Sequence, residues 1–324
     1  MLLEVAELAV DLATPGGSQR VVDRTSFSLA EGESLGVVGE SGSGKTMTAL
    51  ALMALTPEGA RVSGSIRFEG RELIGLSEEE MLQLRGDRIA MIFQEPMTAL
   101  NPLHSVGAQV AEPLMLHRGL TKRDARERAV ELLERVRLAE PERAARSYPF
   151  ELSGGERQRA MIAMAVGCSP RLIIADEPTT ALDVTVQGRI LALIDALRSE
   201  SKMAILLVSH DLAVIAGHCD RVIVMYAGVI MESGPVEAVL REPRNPYTLA
   251  LLKARPRPGA PRGSRLATIP GAPQLEHERG RGCPFAGRCA LTVDICRRTP
   301  PPEVAFGASH LSRCHRAGEM GFAP

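Results

Sequence analysis

The chain has 324 residues, 45% hydrophobic and 24% charged, enough apolar side chains to bury more than one core. Lysine and arginine (38) balance aspartate and glutamate (39), leaving a net charge of −1, which excludes a global basic field for nucleic acid and an acidic interaction tail. Aromatic residues make up 3% and tryptophan is absent, which argues against stacking platforms for single-stranded nucleic acid.

The opening "MLLEVAELAVDLATPGG" carries Glu4, Glu7 and Asp11 and no basic residue before Arg20, the wrong pattern for a secretory signal, so the chain is expected in the cytoplasm. The longest apolar runs, "MAILLVS" and "VIVMYAGVIM", are shorter than the roughly 20 residues of a spanning helix, so any membrane role must work through a partner. Through about residue 90, short alternating segments ("RVVDRTSFSL", "SGSIRFEG") predict hairpins interleaved with one strand, loop and helix unit, "SLGVVGESGSGKTMTALALMAL". Its centre, Gly39 to Thr46, fits G-x-x-x-x-G-K-[ST] in the context the mechanism demands. Backbone amides from Ser41 through Gly42, Ser43 and Gly44 to Lys45 would cradle phosphates, Lys45 would reach the β and γ positions, and the Thr46 hydroxyl would ligate Mg²⁺.

From 95 to 165 the pattern turns helical and charged. "TKRDARERAVELLERVRLAE" sets Ala129, Leu132, Leu133 and Val136 on one face, and a helical insertion is expected. Gln94, after another apolar strand, could orient a lytic water. "LSGGERQRAMIAMAV" then begins a helix with a capping box, Ser153 to Glu156, followed by Gly154 and Gly155, each costing about 1 kcal/mol against alanine inside a helix. Bare backbone at a helix N-terminus suits an anion; a plain Ser-Gly-Gly loop opening a core helix is the alternative.

Strands and helices alternate again through "RLIIADE", "GRILALIDALRSE", "MAILLVSHD" and "DRVIVMYAG", predicting a parallel sheet covered by helices, an α/β fold. Asp176 and Glu177 end one strand, where ligands of open α/β sheets sit. Asp176 would hold the Mg²⁺ shell and Glu177 would act as base on the water attacking the γ-phosphate; two acids capping a turn is the alternative. His210 follows another strand and is either on the same edge or simply solvated; adjacent Ser209, His210 and Asp211 do not make a hydrolase triad.

Together the phosphate loop, Gln94, "LSGGERQ", "LIIADE", "TALD" ending at Asp183, and His210 resemble the nucleotide-binding domains of ABC transporters over residues 1–235. "QEPMTALNP", "MIAMAVGCSPRLIIADEPTTALDVTVQGRI" and "PRNPYTLALL" look like ATP-binding subunits of dipeptide and oligopeptide importers. The resemblance implies a P-loop NTPase of ABC type: a RecA-like core, an antiparallel β subdomain, a helical subdomain at 95–165, and an importer-type C-terminal extension at 236–324. It also implies head-to-tail pairing, with Ser153, Gly154 and Gly155 of one subunit capping the ATP held by the other. Asp183 would contact the opposite subunit, Gln94 would join the Mg²⁺ site and link nucleotide state to the membrane partner, and His210 would touch the γ-phosphate. The implied partners are a second ATP-binding subunit, a paralogue or a second copy of the chain; two transmembrane permease subunits; and, indirectly, an extracytoplasmic substrate-binding protein. The place of action would be the cytoplasmic face of the membrane. Nickel or another small solute as cargo, a non-transport ABC protein, and a redox sensor are the rival readings. The 108 positions between Lys45 and Ser153 leave no room for the long coiled coils of DNA-repair members, and the single copy argues against translation factors.

Two departures from the family pattern stand out. Gln19 replaces the aromatic expected upstream of the phosphate loop to stack adenine, and Glu95 replaces a usual Asp. After about residue 235, "KARPRPGAPRGSRLATIPGAPQLEHERGRG" reads as a linker or extended wrap. Cys283, Cys289, Cys296 and Cys314 follow, with no C-x-x-C. In a reducing compartment they are candidates for a 4Fe–4S cluster, which some importer ATPases carry in this extension, for zinc with His310 or His315 competing, or for free thiols. Cys168 and Cys219 read as small buried residues.

Overall fold

A computed structural model describes residues 1–180, 182–254, 268–271, 282–307 and 309–319. Most of the proline- and arginine-rich segment after Ala254 lies outside the described residues. The chain divides into two compact units, 3–28 with 34–74 and 209–324 in one, and 1–2 with 29–33 and 75–208 in the other.

The first unit opens with β1 (Leu3–Thr14), β2 (Gly17–Leu29), β3 (Ser34–Val38), α1 (Lys45–Leu52), β4 (Arg61–Phe68) and β5 (Arg71–Glu72). The expected hairpins form a four-stranded sheet in the order β2-β1-β4-β5, with β1 and β4 antiparallel. Its register slips between Ala6 and Ala9, opposite Gly64, where φ is +101° and an added Cβ would come within 2.4 Å of the Glu7 carbonyl oxygen, so only glycine fits. The five residues of β3 are buried on both faces, as a central parallel strand requires.

The second unit supplies α2 (Glu78–Leu84), β6 (Ile89–Ile92), α3 (Pro96–Ala99), α4 (Val106–Arg118), α5 (Lys122–Arg135), α6 (Pro141–Arg146), α7 (Gly154–Val166), β7 (Leu172–Asp176), α8 (Val184–Ser201) and β8 (Ala204–Ser209). β6, β7 and β8 are parallel neighbours with continuous apolar sequences buried on both faces. The helical insertion between β6 and β7 forms from ordinary local signals. Thr121 caps α5 by accepting from the Asp124 amide, α4 ends on Gly119 at φ +64°, and Ala129, Leu132, Leu133 and Val136 are all buried as the periodicity predicts. At about 1.5–3 kcal/mol for each fully buried leucine or valine, that stripe outweighs any helix propensity in so charged a segment.

The first unit resumes with α9 (Leu212–His218), β9 (Arg221–Tyr226), β10 (Val229–Pro235), α10 (Val236–Arg241), α11 (Pro246–Lys253), α12 (Asp294–Arg298), β11 (Glu303–Phe306) and β12 (His310–Arg313). Within it the strands run β11-β12-β10-β9-β3: β3 and β9 are parallel, β9 and β10 form a hairpin, and β12 adds antiparallel to β10. Strands β11 and β12 are therefore part of the sheet that carries the phosphate loop. Helices α10 and α11 and the hairpin of β11 and β12 are elements the sequence reading did not specify. Among the described residues no helix is long and apolar enough to cross a membrane.

Candidate functional site

The phosphate loop leaves β3 and enters α1 through a backbone only glycine can take. Gly42 and Gly44 have φ of +76° and +99°, and a Cβ on Gly39 would lie 2.1 Å from the Met225 carbonyl oxygen. The Gly228 amide donates to the Ser43 carbonyl at 2.9 Å, tying the loop to the β9–β10 turn. The Lys45 ammonium is buried and donates to the carbonyls of Gly39 (2.9 Å) and Glu40 (3.0 Å), so the cation is held inside the loop's own curve. Among the described residues Ser43 Oγ is buried without a hydrogen-bonding partner, an orphaned polar atom inside the cradle. Ser41 and Thr46 are exposed at the loop's surface. An orphaned hydroxyl, a buried cation and a helix N-terminus in one turn fit a phosphate group.

A second group assembles at the end of β7. Asp176 is 3% exposed there, and Glu177, at φ +46°, fixes its amide on the Val208 carbonyl. The Glu177 carboxylate accepts from Gln94 Nε2 (3.2 Å) and from the Thr180 hydroxyl (2.9 Å), so two residues expected from separate strands meet. An acid oriented by an amide and a hydroxyl is suited to hold a water by its remaining lone pairs.

The signature turn is built as a capping box. The Ser153 amide (2.8 Å) and hydroxyl (2.6 Å) donate to Glu156, and the Ser153 hydroxyl accepts from the Glu156 amide at 3.4 Å. These bonds, the hydroxyl's first, hold the Glu156 carboxyl below the ordinary glutamate range. Ser153 and Gly154 are exposed. A Cβ on Gly154 would meet only Leu182 Cδ2 at 3.6 Å, ordinary contact, while one on Gly155 would press on Val186 Cγ1 at 3.0 Å. Asp183 is exposed and caps α8 by accepting from the Val186 amide at 2.9 Å, a local task the sequence reading had not given it. His210 is exposed after β8; beside it Ser209 is buried, its hydroxyl accepting from the Asp211 amide, and Asp211 caps α9. These bonds of Ser209 and Asp211 stay within the turn that opens α9.

Two features of the phosphate-loop unit escaped the sequence reading. Glu40, a variable position of the loop motif, receives both arms of the Arg288 guanidinium at 2.7 and 3.0 Å, and its amide donates to Tyr247 Oη at 2.9 Å. Tyr226, Tyr247 and Phe285 pack with ring centroids 4.7–5.2 Å apart behind that contact. No periodicity announces a pairing across 248 positions, although three of the chain's ten Tyr and Phe residues meet here.

The four tail cysteines line one small pocket with Phe285 and Leu291, yet they do not form the expected metal centre. Among the described residues no group of three or more His, Cys, Asp or Glu side chains could hold a metal ion. Burial pushes the Cys283 thiol up to about 12 and raises those of Cys289 and Cys314, the direction expected of thiols packed among apolar side chains. The two candidate histidines are engaged elsewhere: His310 with Glu232 at 2.7 Å, and His315 with the Thr299 carbonyl at 2.9 Å. The 4Fe–4S expectation is thereby overturned, and among the described residues the zinc alternative finds no ligand set. Cys168 is buried as expected, and Cys219 is partly so.

A family model described as "ABC transporter" matches residues 22–180, and one described as "Oligopeptide/dipeptide transporter, C-terminal region" matches 231–296. The oligopeptide transport ATP-binding protein OppD of Salmonella typhimurium is 49% identical over 98% of this chain and 95% of its own. That of Escherichia coli is 48% identical over 98% and 94%. Among solved structures, the ATP-binding cassette MJ0796, a dimer in a post-hydrolysis state bound to ADP and Pi, superposes with a TM-score of 0.65 at 28% identity, covering 72% of this chain and 98% of that one. The chain belongs to the ABC transporter family, among the ATP-hydrolysing subunits of the oligopeptide/dipeptide type.

Proposed function

We propose that the chain energises a membrane importer of short peptides from the cytoplasmic face, as one of two ATP-binding subunits docked on two permease subunits. The observation that carries this reading is likeness to oligopeptide transport ATP-binding proteins along 98% of the chain, including the C-terminal region where the importer-type model matches. In this reading residues 1–235 form the nucleotide-binding domain, with the helical subdomain at 95–165, and 236–324 the extension. An extracytoplasmic binding protein delivers the peptide.

Lys45 and the amides of the loop would hold the ATP phosphates; Thr46, Asp176 and Gln94 are the residues that would hold Mg²⁺, which would supply charge neutralisation for the phosphates. Glu177, oriented by Gln94 and Thr180, accepts the proton of the attacking water, and His210 contacts the γ-phosphate. Ser153, Gly154 and Gly155 serve the nucleotide of the opposite subunit, near Asp183. The exposed glycine turn supports that assignment, since Gly154 is not demanded by its own chain's packing.

The test is co-purification of the tagged chain with its permease subunits, followed by ATPase assays in proteoliposomes. Hydrolysis stimulated by a binding protein loaded with short peptide, and not by one loaded with nickel, is the expected result. Failure to retain permease subunits, or stimulation by nickel alone, refutes peptide import.

A further inference from the structure

A phosphate loop grips a triphosphate only when its backbone is pre-curved, because the amides must converge before the ligand arrives. In this chain the curve has an anchor supplied from near the C-terminus. Glu40 sits immediately after Gly39, and its three polar groups are all held. Its carbonyl accepts from the Lys45 ammonium at 3.0 Å, its amide donates to Tyr247 Oη at 2.9 Å, and its carboxylate takes the Arg288 fork at 2.7 and 3.0 Å.

Arg288 is itself fully committed. Its side chain is 6% exposed, Nε donates to the Pro270 carbonyl at 2.7 Å, Nη1 also reaches Tyr226 Oη at 3.3 Å, and Nη2 the Ile269 carbonyl at 3.2 Å. All five N–H donors of the guanidinium are used in one rigid geometry, which a flexible point-charge lysine would not reproduce. The guanidinium stands over the Tyr226 ring, 5.7 Å from its centroid, so the clamp is backed by the aromatic trio rather than by solvent.

We propose that Arg288 is a positioning residue for ATP: by gripping Glu40 it holds the phosphate loop and the Lys45 ammonium in the binding conformation, making nucleotide affinity depend on the C-terminal extension. This rests on the assignment of residues 39–46 to the ATP phosphates. Without the clamp the Glu40 carboxylate turns to solvent, the Gly39–Glu40 carbonyls that accept from Lys45 lose their fixed direction, and part of the binding energy is spent on ordering the loop.

The test uses the purified full chain, MgATP titrated by calorimetry, and ATPase kinetics of the assembled transporter. R288Q is expected to weaken MgATP binding about tenfold, equivalent to about 1.4 kcal/mol. KM for ATP should rise in proportion and kcat stay within about twofold, because chemistry follows once the loop is filled. E40Q should do the same and the double variant no more than either, the signature of one shared interaction. A merely structural role would lower the active fraction, and so kcat, while leaving KM unchanged. Unchanged affinity in R288Q, a loss confined to kcat, or additive effects in the double variant overturns the proposal. If R288Q does not fold, R288K carries the test: it keeps charge and stem but not the fork, so affinity still falls, and wild-type affinity in R288K overturns the clamp. K45A separates this from the underlying reading. ATP binding retained by K45A refutes the phosphate-loop assignment itself, whereas binding lost in K45A and intact in R288Q refutes the clamp alone.

Discussion

Replacing Gly154 by alanine separates what α7 needs for its own stability from what it offers to a ligand. Gly154 is the first residue of α7, and the added methyl would sit 3.6 Å from Leu182 Cδ2, in ordinary contact. No positive φ has to be maintained there. Alanine in place of glycine in a helical conformation gains about 0.4–1 kcal/mol, chiefly by restricting the unfolded chain. For a chain of 324 residues that corresponds to a rise in Tm of up to about 1.5 °C. The methyl nevertheless projects beside exposed amides at a helix N-terminus, where the phosphates of the opposite subunit's ATP are proposed to lie. Losing one such charge-directed amide contact costs about 2.7–4 kcal/mol of transition-state stabilisation, or 100- to 1000-fold in turnover. The assays are calorimetric melting of the free chain and ATP hydrolysis by the reconstituted transporter. A chain that is as stable or more stable and yet hydrolyses ATP about 100-fold more slowly is the expected pair of results. Turnover within twofold of wild type would refute the role given to the turn.

Glu177→Gln should retain ATP and slow hydrolysis by about 100- to 10,000-fold, the range of a general base; single-turnover kinetics of the assembled complex check this, and near-normal rates would remove Glu177 from its role. Gly39→Ala should abolish MgATP binding, because the new Cβ meets the Met225 carbonyl oxygen at 2.1 Å and backbone cannot yield as a side chain could; calorimetric titration decides it. The Glu156 carboxyl is held low by the Ser153 hydroxyl and amide, so the stability it contributes is present above the ordinary glutamate pKa and disappears as pH falls through the lower folded value. Ser153→Ala should therefore flatten the acid limb of the melting profile between pH 5 and the onset of acid unfolding, and an unchanged limb would show that the capping box does not set the titration.

What was legible in the sequence was local. The apolar runs of β6, β7 and β8 admit only strands buried on both faces, and Gly42 and Gly44 mark positive φ within a motif whose strand and helix flanks are explicit. Ser153 and Glu156 announce their capping box by spacing alone. The Gln94–Glu177 contact was legible only by position, as two polar residues each following an apolar strand; the hydrogen bond that joins them spans 83 positions. The hairpin of β11 and β12 was not legible, because it is stabilised by adding to the edge of β10, a long-range pairing. The cysteines were candidate ligands by their number and by the resemblance, with free thiols as one alternative, but ligation needs side chains that converge, and among the described residues no group of three or more His, Cys, Asp or Glu side chains could hold a metal ion.

Glycines Gly39 and Gly154 obey opposite steric logic, and the contrast bears on how the cassette is divided between subunits. At Gly39 the chain's own backbone forbids a side chain, so the residue would be required for folding of the loop even if no nucleotide ever bound. At Gly154 the chain leaves room for a methyl and accepts a glycine at the start of a helix, a small but real loss of stability with no compensating contact among the described residues. A residue that weakens its own element and satisfies nothing nearby is explained by a ligand outside the chain, and exposed amides at a helix N-terminus specify that ligand as an anion. The half-site that the polypeptide completes for itself, the loop braced by Glu40, Arg288 and Tyr247, is buried and cross-linked by hydrogen bonds. The half-site proposed for the partner is exposed and built on its capping box, which lets it approach and leave a nucleotide without disturbing the core behind it.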